Sequence, residues 1–286
     1  ARAVALLGPD VTKDIDLRAQ AELTRGRIYT STSNVKAATA AFDRALALYR
    51  SNKETPPGAI AVALNNRGLL LSDDGRFDAA EASLREALNL FRSSVGDNHL
   101  STGKAWYALA LNSYNAGKLA AAQRQIAEAL RIERAMLDRD NAILGDTLSM
   151  QGQIFEGLNL LPQAESSLRE AVSIYAKAFE GPHYVIGIAE VYLALIESKQ
   201  GRTAAALATL ADAKANYDAS YGKIHPNHGD LLVNRARVLA RAGRFTEARS
   251  DCAEGLNILR TTLGSDSNFT QSMEKTCAQI ETRAAR

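Results

Sequence analysis

Alanine stands at positions 38, 80, 122, 164, 206 and 248, six times at an interval of 42 residues. With 51 alanines in 286 residues, six hits at one chosen phase have a chance of about 3 in 100,000, so the chain is an internal repeat. Other phases follow the same interval. Four residues on come Phe42, Leu84, Ile126, Leu168, Leu210 and Cys252, and three further on Ala45, Ala87, Ala129, Ala171, Ala213 and Gly255. Twelve before the alanines stand Gly26, Gly68, Ala110, Gly152, Ala194 and Ala236, and five before them Ser33, Gly75, Gly117, Asn159, Gly201 and Gly243.

Each phase has a physical reading. Alanine, a large apolar residue four on and a small one seven on share one stripe of a helix. The upstream Gly/Ala phase is small because two helices approach closely there. The Gly/Asn phase between them suits a left-handed residue that ends the first helix. Each unit is therefore helix A, a tight turn and helix B; in the second unit the spacing predicts A near 59–73 and B near 77–94. Pro9, Pro56, Pro57, Pro182 and Pro226 fall between units and Pro162 in a turn within one, so no predicted helix interior is interrupted. Many alanines and only 6 prolines predict a chain that is nearly all helix, and no strand is expected between 16 and 264.

The pattern resembles the tetratricopeptide repeat, whose pattern is W-x2-L-G-x2-Y followed by A-x3-F-x2-A. The matching pieces are Trp106 with Leu109, Gly26 with Tyr29, and Ala38, Phe42 and Ala45. The 42-residue period, the run Leu64-Asn65-Asn66-Arg67-Gly68 and the G-x-x-H loop from Gly96 to His99, with the loop from Gly222 to Pro226, resemble the kinesin-light-chain subtype. The resemblance covers about 15–264 as six units and implies an all-α, right-handed solenoid. The proline that ends many units is missing, and the fifth unit puts Glu190, Lys214 and Asn216 where its siblings are mostly apolar. Residues 265–286, with Phe269, Met273, Cys277 and Ile280 at helical spacing, are expected to form a capping helix with one apolar face. Residues 1–14 look like the tail of a preceding, truncated repeat and its loop, which suggests a piece of a longer protein.

Several chemistries find no support. A formal net charge of +2, from 34 basic and 32 acidic residues, lacks the surplus that nucleic acid needs, and no apolar run reaches membrane-spanning length. His99, His183 and His225 share one phase, which a metal row would use; Asn141 breaks the row, and helix capping explains it better. Cys252 falls on the large apolar phase and is expected to be a buried hydrophobe. Two cysteines without metal spacing suggest no disulfide scaffold and a reducing compartment, hence a cytoplasmic protein. No nucleophile, phosphate-loop or dinucleotide motif is present. The expectation is a non-enzymatic protein with no cofactor and no metal.

What remains is the surface. The resemblance implies that the A helices line a concave face, with contacts at fixed places in each unit. The second unit offers Asn65, Asn66 and Leu69 there, and the third Lys104, Tyr107, Leu111, Tyr114 and Asn115. The fourth offers Ser149, Gln153 and Glu156, the fifth Ile188, Val191, Tyr192, Leu195 and Lys199, and the sixth Asn234, Arg237 and Arg241. Asparagine pairs with peptide backbone, and tyrosine gives apolar area with a polar tip. The expected partner is a protein or a peptide laid in the groove, with Asn66, Tyr107, Gln153 and Asn234 solvent-accessible. The resemblance also offers a clamp for a C-terminal carboxylate, but only Asn66 and Lys104 match its five positions, while Leu23, Arg27 and Ala108 do not, which excludes that clamp. The alternatives are a regulatory or sensory segment of a larger bacterial kinase or regulator, and self-association through the first, truncated helix.

Overall fold

The computed structural model describes residues 14–222 and 224–284, and they hold thirteen α-helices and no strand. The expected repeat tail falls almost wholly outside the described residues, and with it the helix invoked for self-association. The first pair is α1 (Ile15–Ser31) and α2 (Val35–Ser51), followed by α3 (Pro57–Asp73) with α4 (Phe77–Val95) and α5 (Leu100–Asn115) with α6 (Leu119–Met136). Then come α7 (Ala142–Gly157) with α8 (Leu161–Ala178), α9 (Tyr184–Lys199) with α10 (Thr203–Tyr221), and α11 (Pro226–Arg241) with α12 (Phe245–Leu263). A last helix, α13 (Asn268–Ala284), stands where the cap is expected. The bounds of α3 and α4 match the spacing-based ones to within two residues. The pairs fall into two compact units, residues 1–137 with three pairs and residues 138–286 with three pairs and α13.

The phases behave as the spacing predicts. All six alanines of the first phase are fully buried. The small phase on helix A is a notch: a Cβ on Gly26 would lie 2.4 Å from the Phe42 ring, one on Gly68 2.5 Å from Leu84, and one on Gly152 2.6 Å from Leu168. The large residue four after the alanine thus enters the notch of its own pair. A second set of notches lies nearer the start of helix A, where Tyr175 fills the space at Gly145, Tyr217 at Gly187 and Leu259 at Gly229.

The turn between A and B is the same in all six pairs. Ser33, Gly75, Gly117, Asn159, Gly201 and Gly243 all have positive φ, between 54° and 80°. The next residue's N–H reaches back to a carbonyl five residues earlier, as from Arg76 to Leu71 at 2.8 Å and from Leu160 to Phe155 at 2.8 Å. That closes the Schellman turn, which satisfies carbonyls the helix end leaves bare. Between pairs, the Nδ1 atoms of His99, His183 and His225 accept from the backbone N–H two residues on, at 3.1, 3.3 and 3.2 Å, and Asn141 Oδ1 does so at 3.0 Å. The histidine row consists of helix N-caps.

The cysteines correct the sequence reading. Cys252 is buried, as its phase requires, but it is bonded to Cys277 of α13, with Cα atoms 5.8 Å apart. The two positions lie on different elements, so the repeat spacing carries no sign of the bond. A disulfide persists in oxidising surroundings, so the argument for a reducing compartment falls.

Two of the fifth-unit departures, buried Glu190 and half-buried Asn216, meet each other, whereas Lys214 is exposed and paired with Asp218 at 2.6 Å. Asn216 Nδ2 donates to Glu190 Oε2 at 2.9 Å, and Asn216 Oδ1 accepts from His183 N at 3.1 Å. Burial pushes the Glu190 carboxyl up to about 7, against the opposing Asn216 bond.

Candidate functional site

The A helices carry every groove candidate, and the two units are taken separately. In the first, Asn65, Asn66 and Leu69 of α3 and Tyr107, Leu111 and Tyr114 of α5 are half-buried, while Lys104 and Asn115 are exposed. Asn66 Nδ2 donates to the Val62 carbonyl one turn back at 3.0 Å. Asn115 Nδ2 donates to Ser72 Oγ at 3.3 Å, which ties α5 to α3. These side chains are accessible, as a groove contact must be.

The second unit holds a defined pocket of about 210 Å³ on its A-helix face. Ile188, Val191, Tyr192 and Leu195 of α9 form one wall, and Asp230, Asn234 and Arg237 of α11 another. Tyr217 of α10 lies at the base, and Phe269 and Met273 of α13 close the far side. The α9 side chains recur at three and four residues because one stripe of the helix faces the pocket. Phe269 and Met273, four apart, sit one turn above each other on α13 in the same way.

A polar chain runs along the α11 wall. Arg237 Nη1 donates to Asn234 Oδ1 at 2.8 Å, and Asn234 Nδ2 donates to Asp230 Oδ1 at 3.0 Å. Burial raises the Asp230 carboxyl to about 6, with Arg237 and Asn234 pulling the other way. Burial also pushes the Tyr217 hydroxyl strongly up, helped by Asp230. The site is therefore an apolar basin with one aligned polar edge.

Two candidates depart from the expected accessibility. Asn234 is only 6% exposed, because its amide is held between Asp230 and Arg237. Ser149 is buried too. Gln153 is half-buried, Lys199 is paired with Glu156 at 2.5 Å, and Arg237 and Arg241 are exposed. Val191 is buried, while Ile188 and Leu195 are partly open. Sequence reasoning missed Asp230, Tyr217, Phe269 and Met273 as pocket residues. The i, i+4 pair on α13 was visible as an apolar face, but nothing local says what that face meets. Among the described residues no group of three or more His, Cys, Asp or Glu could hold a metal ion, and no helix is long and apolar enough to cross a membrane.

Helix pairs of one length, repeated with the same notch, turn and cap, define an all-α repeat solenoid. A tetratricopeptide repeat model matches residues 59–135 and 185–261, more than half of the chain, and the chain belongs to the tetratricopeptide repeat family. In fold the repeats are similar to those of kinesin-light-chain-like proteins. BtubC (BKLC) from P. vanneervenii is similar in structure, with 18% identity and a TM-score of 0.68 over 82% of this chain and 94% of that one. The kinesin light chain nearly identical TPR-like repeats of Podosopora anserina align at 14% identity and a TM-score of 0.61, covering 72% and 98%. The quorum sensor NprR from B. thuringiensis aligns at 15% identity and a TM-score of 0.68, covering 94% of this chain and 71% of that one. No curated protein matches the chain.

Proposed function

We propose that this protein is a non-enzymatic interaction module that takes a peptide segment on its A-helix face, seating one apolar side chain in the second unit's pocket. The observation that carries the reading is the pocket itself. Ile188, Tyr192, Leu195, Phe269 and Met273 supply apolar walls beside the Asp230–Asn234–Arg237 edge. Recognition sites of this kind bury an apolar anchor and fix its direction with a few placed polar groups. Taken by itself, the first unit offers half-buried amides and rings, Asn66 and Tyr107 foremost, with the mixed hydrogen bonding and ring area that suit an extended backbone of its own.

The test is selection of random heptapeptides on the oxidised full chain, followed by affinity measurement with Tyr192→Ala and Arg85→Ala. Truncating an aromatic anchor costs about 2 kcal/mol, or roughly 30-fold in affinity. Arg85, exposed on α4 and paired with Glu81 of its own helix, should leave affinity unchanged. Failure to enrich any peptide, or equal weakening by both variants, would refute the reading.

A further inference from the structure

The wall of the pocket formed by α13 is attached in a way the other walls are not. Of its seventeen residues only Thr270, Cys277 and Ile280 are buried. Two ion pairs tie it to α12, Arg260 with Glu274 at 2.7 Å and Arg249 with Glu281 at 2.8 Å, and all four side chains are substantially exposed. Exposed pairs hold weakly, and an isolated helix of this length is marginal in water. The covalent link from Cys277 to Cys252 is therefore the strongest single attachment of the helix.

The position of Cys252 strengthens the point. In the first, second and fourth pairs the corresponding large side chain, Phe42, Leu84 or Leu168, fills the glycine notch of its own helix A. In the last pair a smaller cysteine stands there, and the core around Ala236, Leu239 and Ala248 is completed by Cys277 and Ile280 of α13. The place where a bulky residue would make the pair self-sufficient is thus given over to a bond with the cap. The same helix presents Phe269, 42% exposed, and Met273 to the pocket.

We infer that the Cys252–Cys277 disulfide is a thiol-sensitive latch: reduction frees α13 and removes one wall of the pocket while the helix pairs stay folded. This rests on the peptide-binding reading only for its consequence on binding, not for the release of the helix. The reductant is a dithiol. One of its thiolates attacks a cystine sulfur, and the S–S bond breaks. The second thiolate then closes on the mixed disulfide, leaving the reductant as a cyclic disulfide. Two electrons pass to the protein sulfurs, each of which takes up a proton. Both cysteines are 6% exposed, so attack follows local opening of α13, whose few buried residues and exposed ion pairs make such opening cheap.

The test is hydrogen exchange on the full chain, oxidised and after treatment with dithiothreitol, with alkylation after unfolding to count the freed thiols. Amides from Met273 to Ile280 should lose protection at least tenfold, and those of α9 and α11 less than twofold. Cys252→Leu, which restores the large apolar residue without the bond, should show the loosened α13 with or without reductant. Unchanged α13 protection with both thiols alkylated would overturn the proposal. So would equal loss across α9, α11 and α13, since the bond would then hold the whole unit. Heptapeptides selected on the oxidised chain should bind at least tenfold more weakly after reduction. Unchanged peptide affinity with α13 released would overturn the pocket's dependence on the wall, whereas failure to select any peptide would count against the binding reading and leave the exchange result to decide the latch.

Discussion

Replacing Gly68 by alanine tests the notch that organises every pair. The added Cβ would lie 2.5 Å from Leu84 Cγ, 2.6 Å from its Cδ2 and 3.3 Å from the Ala80 carbonyl oxygen. Carbon atoms rest at about 3.5–4.0 Å, so Leu84 must retreat by about 1 Å. It has no room to do so, since Leu84 and Ala80 are both fully buried. Overpacking of this kind costs about 1–3 kcal/mol, while the better helix propensity of alanine returns up to about 1. Gly58, in the same helix, supplies the control: a Cβ there meets nothing within 4 Å, so Gly58→Ala should be neutral or stabilise by up to about 1 kcal/mol. Urea unfolding followed by the fluorescence of Trp106, the single tryptophan and packed on the first unit's core, reads both. The two substitutions should move the midpoint in opposite directions, with no change in slope. Leu84→Ala alone should cost about 2–5 kcal/mol, but in its background Gly68→Ala should become harmless, a coupling of about 1–3 kcal/mol. If Gly68→Ala stabilises as Gly58→Ala does, α3 and α4 do not cross at this point and the meaning assigned to the small phase is wrong.

Two further outcomes are expected. Glu190 titrates near 7 in the fold, above its unfolded value, so the folded state holds the extra proton and stability falls as pH rises from about 4.5 to 7. Glu190→Gln, which keeps an acceptor for Asn216, should gain up to about 3 kcal/mol over the parent above pH 7 and nothing below pH 4.5; denaturant melts by circular dichroism check this, and a pH-independent difference would contradict it. His99→Ala should cost about 0.5–2 kcal/mol through the lost N-cap, whereas His99→Asn should cost little because Asn141 caps α7 in the same way; equal losses in urea unfolding would mean that the imidazole is needed for something else.

The regular part of this molecule was legible in the amino-acid sequence because it is local and repeated. Alanine, notch and left-handed turn act within about thirty residues of each other. Six copies average out the noise of any one, which is why Gly68 and Leu84, or Ser33 and Asn159, could be assigned without coordinates. The sequence also marked Glu190 and Asn216 as departures, since a polar residue at an apolar phase stands out against its siblings. Other features depended on contacts between parts that are not copies of one another. Cys277 belongs to the cap, outside the period, so its bond to Cys252 has no phase from which to be read. Phe269 and Met273 declare an apolar face but not its destination. Asn234 occupies a groove position and is nonetheless buried, because Asp230 and Arg237, four and three residues away, happen to hold its amide. Periodicity specifies how each helix meets its own pair and the next. What closes the last pocket depends on where a unique helix comes to rest, and that is decided only when the chain is packed.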